Sequence, residues 1–109
     1  MEKLTKSGKA KAIGISNFSK AEVERLLKET TIVPAAHQME LHPYLQQTSF
    51  AEFNKSKGIL ITQYSPFGNQ NPTYDSGRDV GKLIEHPTIT EVRSPLSLHA
   101  RLFFGPVCV

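Results

Sequence analysis

Lys11-Ala12-Ile13-Gly14-Ile15-Ser16-Asn17-Phe18-Ser19-Lys20-Ala21-Glu22-Val23 runs from a short apolar stretch straight into a helix start. Lys11 to Ser16 reads as a short buried strand. Ser19 and Glu22 have the spacing of a capping box, with Ser19 at the N-cap and Glu22 at N3. Phe18 and Val23 stand at the two positions of a hydrophobic staple. Val23, Leu26 and Leu27 then form a helical apolar stripe, while Glu22, Glu24, Arg25 and Lys28 face water.

The same strand–helix unit recurs outward from this point. Upstream, Met1 and Leu4 at i, i+3 read as a helix end, with Gly8 as its stop. Downstream, Ile32 to Glu40 reads as a second strand, started by Pro34, which cannot donate to a ladder. Alternation puts Ala36, Gln38 and Glu40 on one face and Ala35, His37 and Met39 on the other. His42-Pro43-Tyr44 breaks the strand. Ser49 to Lys57 reads as a helix, with a second capping box at Ser49 and Glu52 and a stop at Gly58. Ile59 to Tyr64 is a third strand by its β-branched content. A loop rich in turn formers, Ser65 to Pro72, follows it. The spacing then predicts a short helix over 80–85, stopped by Pro87. Strands alternating with helices predict an α/β fold with parallel strands.

The chain has 109 residues, 39% hydrophobic and 21% charged, with a formal net charge of +3. That is globular composition and the length of one small domain. Lysines are scattered among glutamates, so no nucleic-acid surface is indicated. The single cysteine, Cys108, excludes an internal disulfide and a multi-cysteine zinc site. No run approaches the roughly 18 apolar residues of a membrane span, and no export signal is visible. A cytoplasmic location is the expectation. From Glu91 onward the pattern changes, and residues 94–109 have no acidic residue and no clean period.

Several polar residues lie where strands end, the side that faces ligands in parallel α/β folds. Ser16 and Asn17 can bond a planar polar ligand, or cap the turn into the helix. Gln38 reads as an amide late in an apolar strand, needing a partner that is either a ligand or a neighbouring strand. His37, on the opposite face, reads as structural, and so does His42 in its turn. Tyr64 can stack on a flat ring or pack in the core. Ser65, Gly68 and Asn69 can cradle a phosphate, although no glycine-rich nucleotide motif is present. Glu24, Glu52 and Glu85 belong to solvated helix faces.

Three blocks, Gly14-Ile15-Ser16-Asn17-Phe18, Gln38-Met39-Glu40-Leu41-His42-Pro43-Tyr44 and Tyr64-Ser65-Pro66-Phe67-Gly68, occur in the order and spacing of the aldo-keto reductases. The resemblance covers residues 1–91. It implies a partial (β/α)8 TIM barrel of about three β/α units, matching the family's fifth to seventh strands. It implies that Ser16, Asn17 and Gln38 bond the carboxamide of NADP(H) or NAD(H), and that Tyr64 stacks on the nicotinamide ring. Ser65 and the loop through Gly68 and Asn69 should reach the pyrophosphate. The implied activity is reduction of a small aldehyde or ketone to an alcohol.

The resemblance also implies absences. The family's catalytic Asp, Tyr, Lys and His come from its first four strands, and no residue here matches them. The eighth-strand Lys-Ser segment and the arginine that grip the adenosine 2′-phosphate have no counterpart either. A whole barrel takes about 250 residues. The expectation is therefore a fragment: a partial reductase domain over 1–91 and an aberrant tail over 92–109. The fragment is expected to be inactive alone, to bind cofactor weakly or not at all, and to be prone to self-association at open sheet edges. The alternative is a non-catalytic nucleotide-binding or regulatory piece, or a truncated product without function.

Overall fold

A computed structural model describes residues 1–68 and 81–93. In chain order the elements are α1 (Glu2–Lys6), β1 (Gly14–Ser16), α2 (Lys20–Glu29), β2 (Ala36–Glu40), α3 (Thr48–Ser56), β3 (Leu60–Tyr64), a 3-10 turn (Leu83–Glu85) and α4 (Pro87–Arg93). The sheet has the order β1-β2-β3. Strands β1 and β2 are parallel, with Gly14 opposite Ala36, Ile15 opposite His37 and Ser16 opposite Gln38. Ala35 N donates to Ile13 O and Leu60 N to Ala35 O, which ties the strand starts together. The α/β alternation read from the sequence is thus observed, with strands shorter than the apolar runs that announced them.

The chain divides into two compact units, Met1–Glu40 with Gln47–Thr62, and Leu41–Gln46 with the chain from Gln63 onward. The first holds β1, β2, all of α1 to α3 and the start of β3. Its buried apolar residues are Val23, Met39 and Ile59, and beside them His37 and Asn54 are fully buried. Helix α2 begins as its sequence dictates. Glu22 N donates to the Ser19 hydroxyl, while the Ser19 amide and hydroxyl both donate to the Glu22 carboxylate at 2.7 Å. The stripe residue Val23 is buried and Leu26 and Leu27 are half-buried, while Glu22, Glu24, Arg25 and Lys28 are exposed. Glu2 of α1 accepts from Thr31 N at 2.8 Å, which anchors the segment after α2.

Helix α3 departs from its expected start. Its N-cap is Gln47, in the left-handed region at φ 44, with no side-chain cap bond. Gln47 O accepts from both Phe50 N and Ala51 N, so the helix begins at Thr48 and Ser49 lies inside its first turn. The Gln47 side chain instead donates to Glu40 O at 2.7 Å and closes the end of β2. The Ser49–Glu52 capping box does not form. The expected stop at Gly58 is seen, at φ 75.

In the second unit, His42 and Leu45 form an antiparallel bridge around Pro43-Tyr44. After β3, Gly68 N donates to Ser65 O at 2.9 Å, closing a turn with Pro66 at its second position, where its fixed φ suits the turn. Leu83 is buried and Lys82 pairs with Glu85 at 3.2 Å. The helix expected over 80–85 is a 3-10 turn at Leu83–Glu85, with residue 80 outside the described residues. Pro87, expected as a stop, opens α4 instead. His86 O accepts from Thr90 N, and the His86 ring accepts from Thr88 N at 3.3 Å. Proline suits the first helical position because its missing N–H would have no partner there. The helix runs through Arg93, past the point where the sequence pattern changes. Of the tail expected over 92–109, Val92 and Arg93 belong to α4 and residues 94–109 lie outside the described residues.

Ser19→Ala should lower stability by about 1 kcal/mol, read from urea midpoints. The Ser19 hydroxyl, and then its amide, hold the Glu22 carboxyl below its ordinary value of 4.5. A depressed folded pKa stabilises fully above pH 4.5 and is lost as the pH falls through the lower folded value. Wild type should therefore lose stability in acid relative to Glu22→Gln below pH 4.5, and the two should run parallel above it.

Candidate functional site

The alternation of β1 and β2 sorts their side chains. Gly14, Ser16, Ala36, Gln38 and Glu40 share one sheet face by register, and Ile15, His37 and Met39 share the other. A Cβ added at Gly14 would sit 3.0 Å from Ala36 O, so the strands are closely apposed under this face. Ser16, Asn17 and Gln38 are all exposed. Gln38, expected as a buried amide, is correctly placed on its face but is open to water. The structure brings these three together where β1 ends, although Gln38 stands in the middle of β2 and not at its end as expected. Ser16 lies opposite Gln38, and Asn17 N donates to Gln38 O at 3.0 Å.

Asn17 sits in the left-handed region, at φ 57. Asparagine is among the few non-glycine residues that adopt it readily. This lets the chain leave β1 and reach the Ser19 N-cap within two residues. The result is a hydroxyl and two carboxamides on one rim, each able to donate and to accept.

His37 is fully buried, as its face predicts. Its Nδ1 lies 2.9 Å from Asn54 Oδ1, and its Nε2 accepts from Phe18 N at 3.1 Å. Its ring meets Phe18 and Phe50 edge-on, at centroid distances of 6.5 and 5.5 Å. The sequence reading had no role for Asn54. Its position one turn after Phe50 and beside Phe53 placed an amide on an apolar helix stripe, which was the available signal.

In the second unit, Tyr64 ends β3 and is half-buried. Ser65 follows in the left-handed region at φ 50, and Gly68 closes the turn at φ 81. Asn69 lies outside the described residues. His42 and Tyr44 meet edge-on at 6.4 Å, and Tyr44 meets His86 at 5.8 Å, which gives His42 the packing role expected of it.

Two apolar grooves flank the first unit. One of about 460 Å³ is lined by Ile13, Ile15, Phe18, Leu26 and Pro34 among others. The other, about 550 Å³, lies between α3 and the start of β3 at Ala51, Ile59, Leu60 and Ile61. Ser16 also lines the first groove, whereas Gln38 lines neither. Among the described residues, no group of three or more His, Cys, Asp or Glu could hold a metal, and no helix is long and apolar enough to cross a membrane.

The family model described as Aldo/keto reductase family matches residues 1–102, and the chain belongs to that family. It is 54% identical over 92 residues to an uncharacterized oxidoreductase of Schizosaccharomyces pombe, covering 84% of this chain and 28% of that protein. It is 44% identical over 95 residues to an NADPH-dependent D-xylose reductase of Meyerozyma guilliermondii, covering 84% of this chain and 30% of that one. The crystal structure of an aldo/keto reductase from Brucella melitensis matches with a TM-score of 0.76 and 31% identity, over 94% of this chain and 35% of that one. The chain thus spans about a third of the length of the proteins it resembles.

The left-handed turn gives a direct check on this geometry. A β-branched side chain at Asn17 meets the following carbonyl, so Asn17→Val should cost roughly 1–2 kcal/mol. Asn17→Gly tolerates the same backbone and should cost less. Thermal melts of the two variants in parallel give the order.

Proposed function

We propose that Ser16, Asn17 and Gln38 hold the carboxamide of a nicotinamide dinucleotide, NADP(H) or NAD(H). The family resemblance further assigns Tyr64 to the nicotinamide ring and Ser65, Gly68 and Asn69 to the pyrophosphate. The observation that carries it is the Ser16–Gln38 register with the Asn17 N–H on Gln38 O. This arrangement presents a hydroxyl and two amides on one rim. A carboxamide donates through its nitrogen and accepts through its oxygen, and each of these side chains can answer either end. Family membership and the NADPH dependence named for the Meyerozyma guilliermondii reductase support the reading.

The reaction class that follows is reduction of a small aldehyde or ketone to an alcohol. The bound cofactor supplies the hydride. The residues of this chain bind and orient it. Reduction also needs an acid placed to protonate the developing alkoxide. Ser16, Asn17 and Gln38 cannot serve as that acid near neutral pH. We therefore assign Ser16, Asn17 and Gln38 a binding role and not that of the acid. The adenosine 2′-phosphate is assigned no site here, so NADP and NAD should bind alike.

Titration of NADP and NAD by ligand-observed NMR should give similar affinities no tighter than about millimolar, near −4 kcal/mol. Gln38→Ala, at an exposed position, should weaken both by roughly tenfold or less, the worth of one hydrogen bond. Absorbance at 340 nm with NADPH and an aldehyde panel should stay flat. Unchanged binding in Gln38→Ala would remove the carboxamide assignment, and a strong preference for NADP would place a phosphate site on this chain.

A further inference from the structure

We propose that His37 is a positioning residue, whose neutral Nδ1-protonated imidazole fixes the Asn17 backbone and so aims the Ser16 and Asn17 side chains at the cofactor. The aim toward a cofactor rests on the reading above. The tautomer follows from the hydrogen bonds. Phe18 N–H can only donate, so His37 Nε2, at 3.1 Å, must carry the lone pair. The ring proton then sits on Nδ1 and donates to Asn54 Oδ1 at 2.9 Å. Asn54 Nδ2 in turn donates to Phe50 O at 2.8 Å. Donation thus runs in one direction from Phe18 through His37 and Asn54 to the α3 backbone. His37 and Asn54 are both fully buried, so water cannot substitute for either.

The two peptide N–H groups that flank the Asn17 α-carbon are both held by β2. The Asn17 N–H bonds Gln38 O at 3.0 Å, and the Phe18 N–H bonds the His37 ring. Successive residues of β2 therefore clamp a single left-handed residue just beyond β1, Gln38 through its in-plane backbone carbonyl and His37 through its side chain. Loss of the imidazole acceptor frees one side of this clamp. A purely packing role for His37 would predict lower stability but an unchanged Asn17 conformation in whatever chain remains folded.

The test uses the full 109-residue chain, labelled with ¹⁵N and ¹³C. The imidazole ¹⁵N signals of His37 should show a protonated Nδ1 and an unprotonated Nε2. A protonated Nε2, or the averaged signals of a free imidazole, overturns the proposal without any ligand being added. In His37→Phe, which keeps a ring but no acceptor, the backbone couplings that report positive φ at Asn17 should be lost, while His37→Gln, which can return an acceptor, should restore them. Retention of positive φ in a folded His37→Phe overturns the proposal, and if that variant unfolds, the wild-type tautomer alone decides. With NADP added, His37→Phe should bind roughly tenfold more weakly, about 1.4 kcal/mol. If wild type shows the tautomer and the turn but no NADP-induced shifts at Asn17 and Gln38, the cofactor reading fails, and with it the aim assigned to the clamp.

Discussion

A fully buried imidazole can be stable only if both its nitrogens are answered, and the first compact unit is arranged around meeting that demand for His37. One nitrogen takes the backbone N–H of Phe18 and the other meets the side chain of Asn54. A buried polar group left without its partner costs about 1–3 kcal/mol, comparable to removing an aliphatic side chain from a core. The imidazole therefore ties the β1–α2 turn, strand β2 and helix α3 together by directional bonds. Phe18 and Phe50 close over it edge-on, the geometry aromatic rings favour. Val23, Met39 and Ile59 are buried in the same unit.

The period of a β-strand carries this buried arrangement to the rim. Because side chains alternate, the residue after an inward histidine points outward, and that residue is Gln38. Parallel register then sets Ser16 opposite it, and the left-handed Asn17 completes the trio. Structural and candidate functional groups are thus neighbours in sequence and opposite in direction. The match to the aldo/keto reductase family runs from residue 1 to residue 102 and takes in all three residues.

The legible part of the fold was local. Ser19 and Glu22 announced a cap that forms with all its bonds, because every group involved lies within four residues. The α/β alternation and the two faces of β2 were readable for the same reason: each rests on a short period. Ser49 and Glu52 show the opposite case. Their spacing is that of a cap, yet Gln47, by closing the end of β2 with its side chain, starts the helix one residue early. Pro87 misled in a similar way, since proline both ends and begins helices and only the bonds of His86 decide which. The pattern placed Ser16 and Asn17 at the end of β1, where they are, but Gln38 stands in the middle of β2 and not at its end. The exposure of Gln38 and the partnership of His37 with Asn54 were not readable, because each depends on what another element brings close.

The nicotinamide end of a dinucleotide is proposed to meet this chain where Ser16 and Gln38 are paired. Isotope-filtered NOEs between NADP and the ¹⁵N-labelled chain test it most directly. Contacts from the nicotinamide protons to the side-chain amides of Asn17 and Gln38 are expected. Contacts from the adenine protons to those amides, or nicotinamide contacts confined to the groove at Ala51, Ile59 and Ile61, would contradict it.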